Sequence, residues 1–176
     1  GACREIVKER GIVERERLLG LAMTPYVLSR LQVLAGINLV QVVLLQGAVE
    51  WKLNLEGNIL VEMAALWVAA LAGSALGLFI SAVSSSQERA VGVVPLLLLP
   101  QILFSELAIP EDTFTEVVAA VEKIMPVHWG YEVFRELSAD EPSYLAVLGA
   151  FAANFALTAA LCALTILALQ KRRPIA

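Results

Sequence analysis

A chain of 176 residues that is 59% hydrophobic, with a mean hydropathy of +0.74, lies outside the apolar share of about 45–50% usual for soluble domains. Apolar runs of about 20 residues recur, which excludes an ordinary water-soluble fold and predicts an all-α, polytopic membrane bundle. The net charge of −4 says less than its distribution, which is strongly sided along the chain.

The chain opens on REIVKERGIVERERLLGL, Arg4 to Leu21, a charged helix that carries nine charges. At 3.6 residues per turn, Arg4, Lys8 and Arg15 form a basic edge with Glu5, Glu9 and Glu16 as an acidic edge beside it. Ala2, Ile6 and Val13 line up opposite. A helix lying on anionic lipid is mainly basic with one clean apolar face, so this mixture of signs fits a protein partner better. The N-terminus is charged throughout rather than basic and then apolar, which gives no signal-peptide pattern.

The first span is expected from about residue 25 to 49, with Thr24 as cap and Pro25 in the first turn. Its 25 residues reach about 37 Å, enough for a hydrocarbon core of ~30 Å. A polar turn over 50–58 follows, with Trp51 as an interfacial anchor. The second span covers about 59–83 and SSSQER (84–89) turns back into a third, about 90–109, that holds Pro95 and Pro100. The outer segment, 110–143, is acidic and reads as two short helices: FTEVVAAVEKIM, and an aromatic-rich piece starting at Pro126. A fourth span, about 144–169, ends in Gln170-Lys171-Arg172-Arg173. The domain division is residues 1–24, cytosolic, and residues 25–176, transmembrane.

Of the thirteen basic residues, ten fall on the side that holds both chain ends. By the bias of Lys and Arg toward cytoplasmic loops, that side is cytoplasmic and the acidic segment faces outward. Within the spans, Ala65, Ala69, Gly73, Gly77 and Ser81 place a small residue at every fourth position, a pattern that admits close helix–helix packing in lipid. Asn154, Thr158, Cys162 and Thr165 form a polar stripe on the fourth span, and Asn38 and Gln41 share a face of the first. Arg30, Glu62 and Glu106 all sit near span ends, which argues against a proton- or ion-coupled carrier.

No motif for chemistry is present. Lys8, Lys52, Lys123 and Lys171 are followed by Glu, Leu, Ile and Arg, so there is no phosphate loop. His128 has no second His or Cys at ligand spacing and reads as an interfacial position beside Trp129. Cys3 and Cys162 fall in a polar segment and in a span, and predict neither a disulfide framework nor a metal site. The expectation is a non-enzyme with no cofactor of its own and no nucleic-acid partner.

With this layout, the chain resembles the membrane domain of type-2 ABC transporters, in particular the ABCG-like half-transporters and their bacterial relatives. The resemblance is carried by REIVKERGIVERERLLGLAMTPYVLSRL, by GLFISAVSSSQERAVGVVPLLLLPQILFSE and by IMPVHWGYEVFREL. It implies an ATP-driven exporter of a lipophilic or amphipathic substrate, with this chain as the last four of six spans. The opening Gly1-Ala2-Cys3, without an initiator Met, fits a fragment. The resemblance further implies a plasma-membrane protein whose partners are an ABC ATPase domain, which brings ATP and Mg, a second transmembrane half and the lipid bilayer. The segment matching Arg4 to Leu19 is then the coupling helix on the ATPase, with Glu5, Lys8, Glu9, Arg10, Glu14, Arg15, Glu16 and Arg17 as its charged face. Leu98 and Ile102 face the cavity, and Leu107 forms the valve beside Glu106. Glu106 stands where the family commonly has a small residue, and Ala108 where the valve is bulky. A carboxylate there favours polar or cationic substrates or faces external water. The other reading of the chain is a non-transporting scaffold that recruits a cytosolic protein through the charged helix.

Overall fold

In the computed structural model, residues 1–53, 58–103, 125–137 and 143–171 are described, and among them every regular element is helical. A 3₁₀ turn over Ala2–Arg4 leads into α1 (Glu5–Lys8) and α2 (Arg10–Leu18). Then come α3 (Met23–Leu53), α4 (Ile59–Val83), α5 (Gln87–Leu103), α6 (Pro126–Leu137) and α7 (Tyr144–Lys171). Among the described residues, three helices are long and apolar enough to cross a membrane: Met23–Lys52 of α3, all of α4 and all of α7. α5 has 17 described residues, and positions 104–109 of the expected third span lie outside the described part.

Several boundaries move. The single charged helix is two helices broken at Glu9, where the backbone (φ −98°, ψ 9°) leaves the helical range. α2 ends in a Schellman turn: the amides of Gly20 and Leu21 donate to the carbonyls of Arg17 and Glu16, with Gly20 at φ 100°. That left-handed position suits glycine, which has no side chain to clash there. α3 starts at Met23, so Thr24 is inside the helix rather than its cap, while Pro25 keeps its place in the first turn, where a missing N–H costs nothing. At its other end α3 runs through Glu50 and Trp51, which were expected in a turn, and its 31 residues reach about 46 Å. α4 is capped by Asn58, whose side-chain oxygen accepts from the Leu60 amide at 3.2 Å. Of the two expected outer helices, the one starting at Pro126 is α6; FTEVVAAVEKI lies outside the described residues.

α4 is the central element. It packs most extensively on α7, then on α3, the N-terminal turn and α6, and only lightly on α5. Apolar packing gathers at its two ends. One cluster joins Ile6, Val13, Met23, Tyr26, Val27, Leu78 and Ala82, with Leu169 and Ile166 of α7 against it. The other joins Ala65, Val133, Val147 and Ala150 under Trp129, Phe134 and Phe151. Between them α3 is held to α4 by polar contacts. Asn38 donates to the Ala70 carbonyl at 3.1 Å and the Ser74 hydroxyl at 2.8 Å, and Trp67 Nε1 donates to the Ala35 carbonyl at 2.9 Å. In lipid, such interhelical bonds contribute roughly 0.6 kcal/mol each on average, so packing still does most of the work.

Candidate functional site: the fastened charged segment

Ala2 begins level with Gly77 of α4. A Cβ added at Gly77 would lie 2.7 Å from the Ala2 Cβ, a distance real side chains do not reach. The turn Ala2–Arg4 therefore sits directly on the glycine and wedges between α4 and α5. Four residues along α4, the Ser81 hydroxyl accepts from the amides of Ile6 (3.0 Å) and Val7 (2.9 Å). These are first-turn amides of α1 that have no partner inside their own helix.

Beyond Ser81 the segment leaves the flank of α4 and crosses the base of the bundle. Arg10 donates to the Ser84 carbonyl at 3.3 Å, just past the end of α4, and pairs with Glu14 at 3.3 Å. Glu9 pairs with Arg30 in the third turn of α3, and the Arg30 guanidinium lies over the Tyr26 ring, 5.4 Å from its centroid. At the far end Arg17 donates to the carbonyls of Leu169 (2.9 Å) and Gln170 (2.8 Å), at the C-terminus of α7. A cation there meets both unsatisfied carbonyls and the negative end of the helix dipole. Ile6 and Val13 face the spans and are buried, as their spacing predicts.

The charges on this segment thus divide into two groups. Glu9, Arg10, Glu14 and Arg17 are engaged within the chain, and none of these contacts is legible from helical spacing except the i,i+4 pair of Arg10 with Glu14. Arg4, Lys8, Arg15 and Glu16 are exposed, and Glu5 is half-buried. Among the described residues, Arg15 bonds to the Gly11 carbonyl of its own helix, at 3.2 Å.

The small-residue stripe of α4 meets both a span and non-spanning segments: Ala65 packs with Val147 and Ala150 of α7. Its inner end, Gly77 and Ser81, seats the N-terminal turn and α1. Toward its other end, Ala69 receives Gly130 of α6, where an added Cβ would come within 3.2 Å of the Ala69 Cβ. Gly73, between them, has nothing within 4 Å of that position and lines a cavity of about 210 Å³ between α4 and α5. Close approach of non-spanning segments is seen at Gly77, under Ala2, and at Ala69, under Gly130.

Leu98 lines this same cavity, with Val94, Leu97 and Gln101. Ile102 lies in the last turn of α5, and its side chain, like Glu106 and Leu107 altogether, lies outside the described part. On α7 the stripe Asn154, Thr158, Cys162 and Thr165 is buried. Its threonines bond back to the carbonyls of Asn154 (2.9 Å) and Leu161 (2.7 Å) in their own helix. On α3, Asn38 is buried and Gln41 exposed; the second buried amide is Gln46, which donates to the buried Glu62 carboxylate at 2.6 Å. Glu62 is in the first turn of α4, near a span end as expected. His128 meets Trp129 edge to face, ring centroids 4.9 Å apart.

A bundle of long apolar helices with a charged segment clamped across one end is the architecture of a multi-pass membrane domain. Residues 3–138 match the ABC-2 type transporter family, and the chain belongs to that family. It is also similar to an ABC transporter ATP-binding/permease protein of Mycobacterium tuberculosis, 30% identical over 141 residues. That match covers 73% of this chain and 16% of the longer protein. The chain is accordingly a membrane permease domain of an ABC transporter. The scaffold alternative finds no support in either comparison.

Proposed function

We propose that this chain is the membrane half of an ATP-driven exporter, in which the segment Arg4 to Leu19 couples an ABC ATPase domain to the spans. On this reading, residues 1–24 are cytosolic and 25–176 form four spans, α5 being the third, with both ends of the chain on the cytoplasmic face of the plasma membrane. The basic bias toward that face supports the orientation. Two such halves pair around a path for a lipophilic or amphipathic substrate, with Leu98, Ile102, Glu106 and Leu107 along it. ATP and Mg enter through the ATPase.

The observation that carries the reading is the fastening of the charged segment to three spans at one end of the bundle. Ser81 and Gly77 tie it to α4, Arg30 to α3, and the α7 carbonyls to Arg17. A lever must be stiffly attached to what it moves. Here a push on α2 reaches α3, α4 and α7 together, while α5 packs only lightly on α4 and carries two prolines that each remove a helix hydrogen bond.

Reversal of Glu9 and Glu14 to Lys tests this. It sets like charges against Arg30 and Arg10 and loosens the segment from α3. In the assembled transporter reconstituted into vesicles, ATP hydrolysis should continue while substrate export falls, with membrane insertion unchanged. Full export by the double variant would sink the coupling role.

A further inference from the structure

We propose that the cavity between α4 and α5 is a binding site for a small lipophilic alcohol or phenol, whose hydroxyl pairs with the Gln101 amide. The site lies within a single half and does not depend on the coupling reading.

α5 packs lightly on α4, and the space left between them measures about 210 Å³. Val94, Leu97, Leu98 and Gln101 line it from α5, at the i, i+3, i+4, i+7 spacing of one helix face. Leu76 and Ile80 of α4 stand opposite, and the N-terminal turn closes one end through Ala2 and Cys3. Gly73 is what keeps the space open, since a Cβ built there meets nothing within 4 Å. Gly73 and Leu98 are both exposed, which leaves a sideways opening toward lipid. Leu96 and Leu99 are exposed on the other side of α5, so the cavity is separate from that surface.

Gln101 gives the cavity its chemistry. Its side chain is on the wall, the residue is only 8% exposed, and among the described residues no donor or acceptor pairs with its amide. From Gln87, the start of α5, to Gln101 the helix rises about 21 Å, which puts the amide deep in the span. An unpaired amide at such depth is costly. The buried amides of α3 are met inside the chain, Asn38 by Ser74 and Gln46 by Glu62. Water is a poor occupant beside Gln101, because a buried water makes roughly 2–4 hydrogen bonds and the side chains around the amide are apolar. A lipid acyl chain fills the space but leaves the amide bare. One hydroxyl on an apolar body satisfies both. Size narrows the class further: an apolar cavity of about 150 Å³ takes a benzene ring, so this one suits a short chain or a single ring rather than a drug-sized molecule.

The probe is octanol carrying a diazirine, photolysed with the assembled transporter in phosphatidylcholine vesicles, and adducts are mapped by mass spectrometry. Labelling of Leu148, exposed on α7, reports probe dissolved in lipid and serves as the reference. Adducts should concentrate on Leu76, Leu97 and Leu98 and be competed away by plain octanol. Gln101→Leu keeps the bulk and removes the hydrogen bond, so this labelling should fall roughly fivefold. Labelling by a diazirine octane, which has no hydroxyl, should hold in the same variant. Gly73→Leu fills the space and should abolish cavity labelling by both probes. Equal cavity labelling by the alcohol in wild type and Gln101→Leu would overturn the hydroxyl site and leave a cleft filled by lipid. Adducts confined to Leu96, Leu99 and Leu148 would overturn the cavity as a site altogether. None of these readings involves hydrolysis or export, so failure here and failure of the coupling role are told apart.

Discussion

Gly73 and Gly77 stand one helical turn apart on α4 and meet opposite surroundings. A methyl group at Gly77 collides with Ala2, whereas one at Gly73 enters open space. Gly77→Ala should therefore lift the N-terminal turn off α4, and Gly73→Ala should leave it seated. Ser81→Ala acts on the same attachment by a different route. It removes the acceptor for the buried Ile6 amide and its neighbour, at a cost of about 1–3 kcal/mol for leaving donors unsatisfied. Cys3 sits beside this contact and is half-buried. Its rate of maleimide labelling should rise in Gly77→Ala and Ser81→Ala and match wild type in Gly73→Ala. A rise in Gly73→Ala equal to that in Gly77→Ala would contradict the assignment.

At the scale of elements, α2 meets α3 through the packing of Val13 on Met23, Tyr26 and Val27 and through the Glu9–Arg30 pair, with each of the paired side chains about 30% exposed. A pair this accessible is worth under about 1 kcal/mol after screening by solvent. Its importance is geometric, because it fixes where the break between α1 and α2 meets α3. Glu9→Arg should lower the melting midpoint in detergent through like-charge contact, and the exchange E9R/R30E should recover most of the loss. No recovery would show that Glu9 acts on something other than Arg30. The elements also show which features a sequence exposes. α3, α4 and α7 are legible because continuous apolar stretches leave no alternative in lipid. The small-residue stripe was visible, but its partners were not, since Ala2 and Gly130 lie in short segments with no strong period of their own. In the same way, Asn38 and Gln41 could not be ranked, because burial on α3 is decided by the path of α4 across it. The charged segment read as a free partner face for a related reason: Arg30, Ser84 and Leu169, which take up Glu9, Arg10 and Arg17, are remote in sequence.

On the scale of the whole molecule, α5 stands apart. Its inward stripe is narrow, and Leu96 and Leu99 on its other side are exposed at 68% and 56%. In the proposed two-half assembly that surface meets the second half, while Leu148 of α7, exposed at 67%, meets lipid. In a background without Cys3 and Cys162, Leu99→Cys should oxidise to a dimer between copies and Leu148→Cys should not. The reverse pattern would move the contact between halves to α7.

The bond from Arg17 to the carbonyl of Leu169 joins residues 152 positions apart. During synthesis, Ser81 emerges long before Leu169 does, so α1 can seat as soon as α4 has entered the bilayer. α2 stays unclamped at its far end until α7 follows. Translation arrested between those points leaves an arm docked on α4 and not yet bonded to α7. The base of the bundle is therefore completed last, and a nascent chain with its final helix uninserted is recognisable at the opposite end of its own sequence.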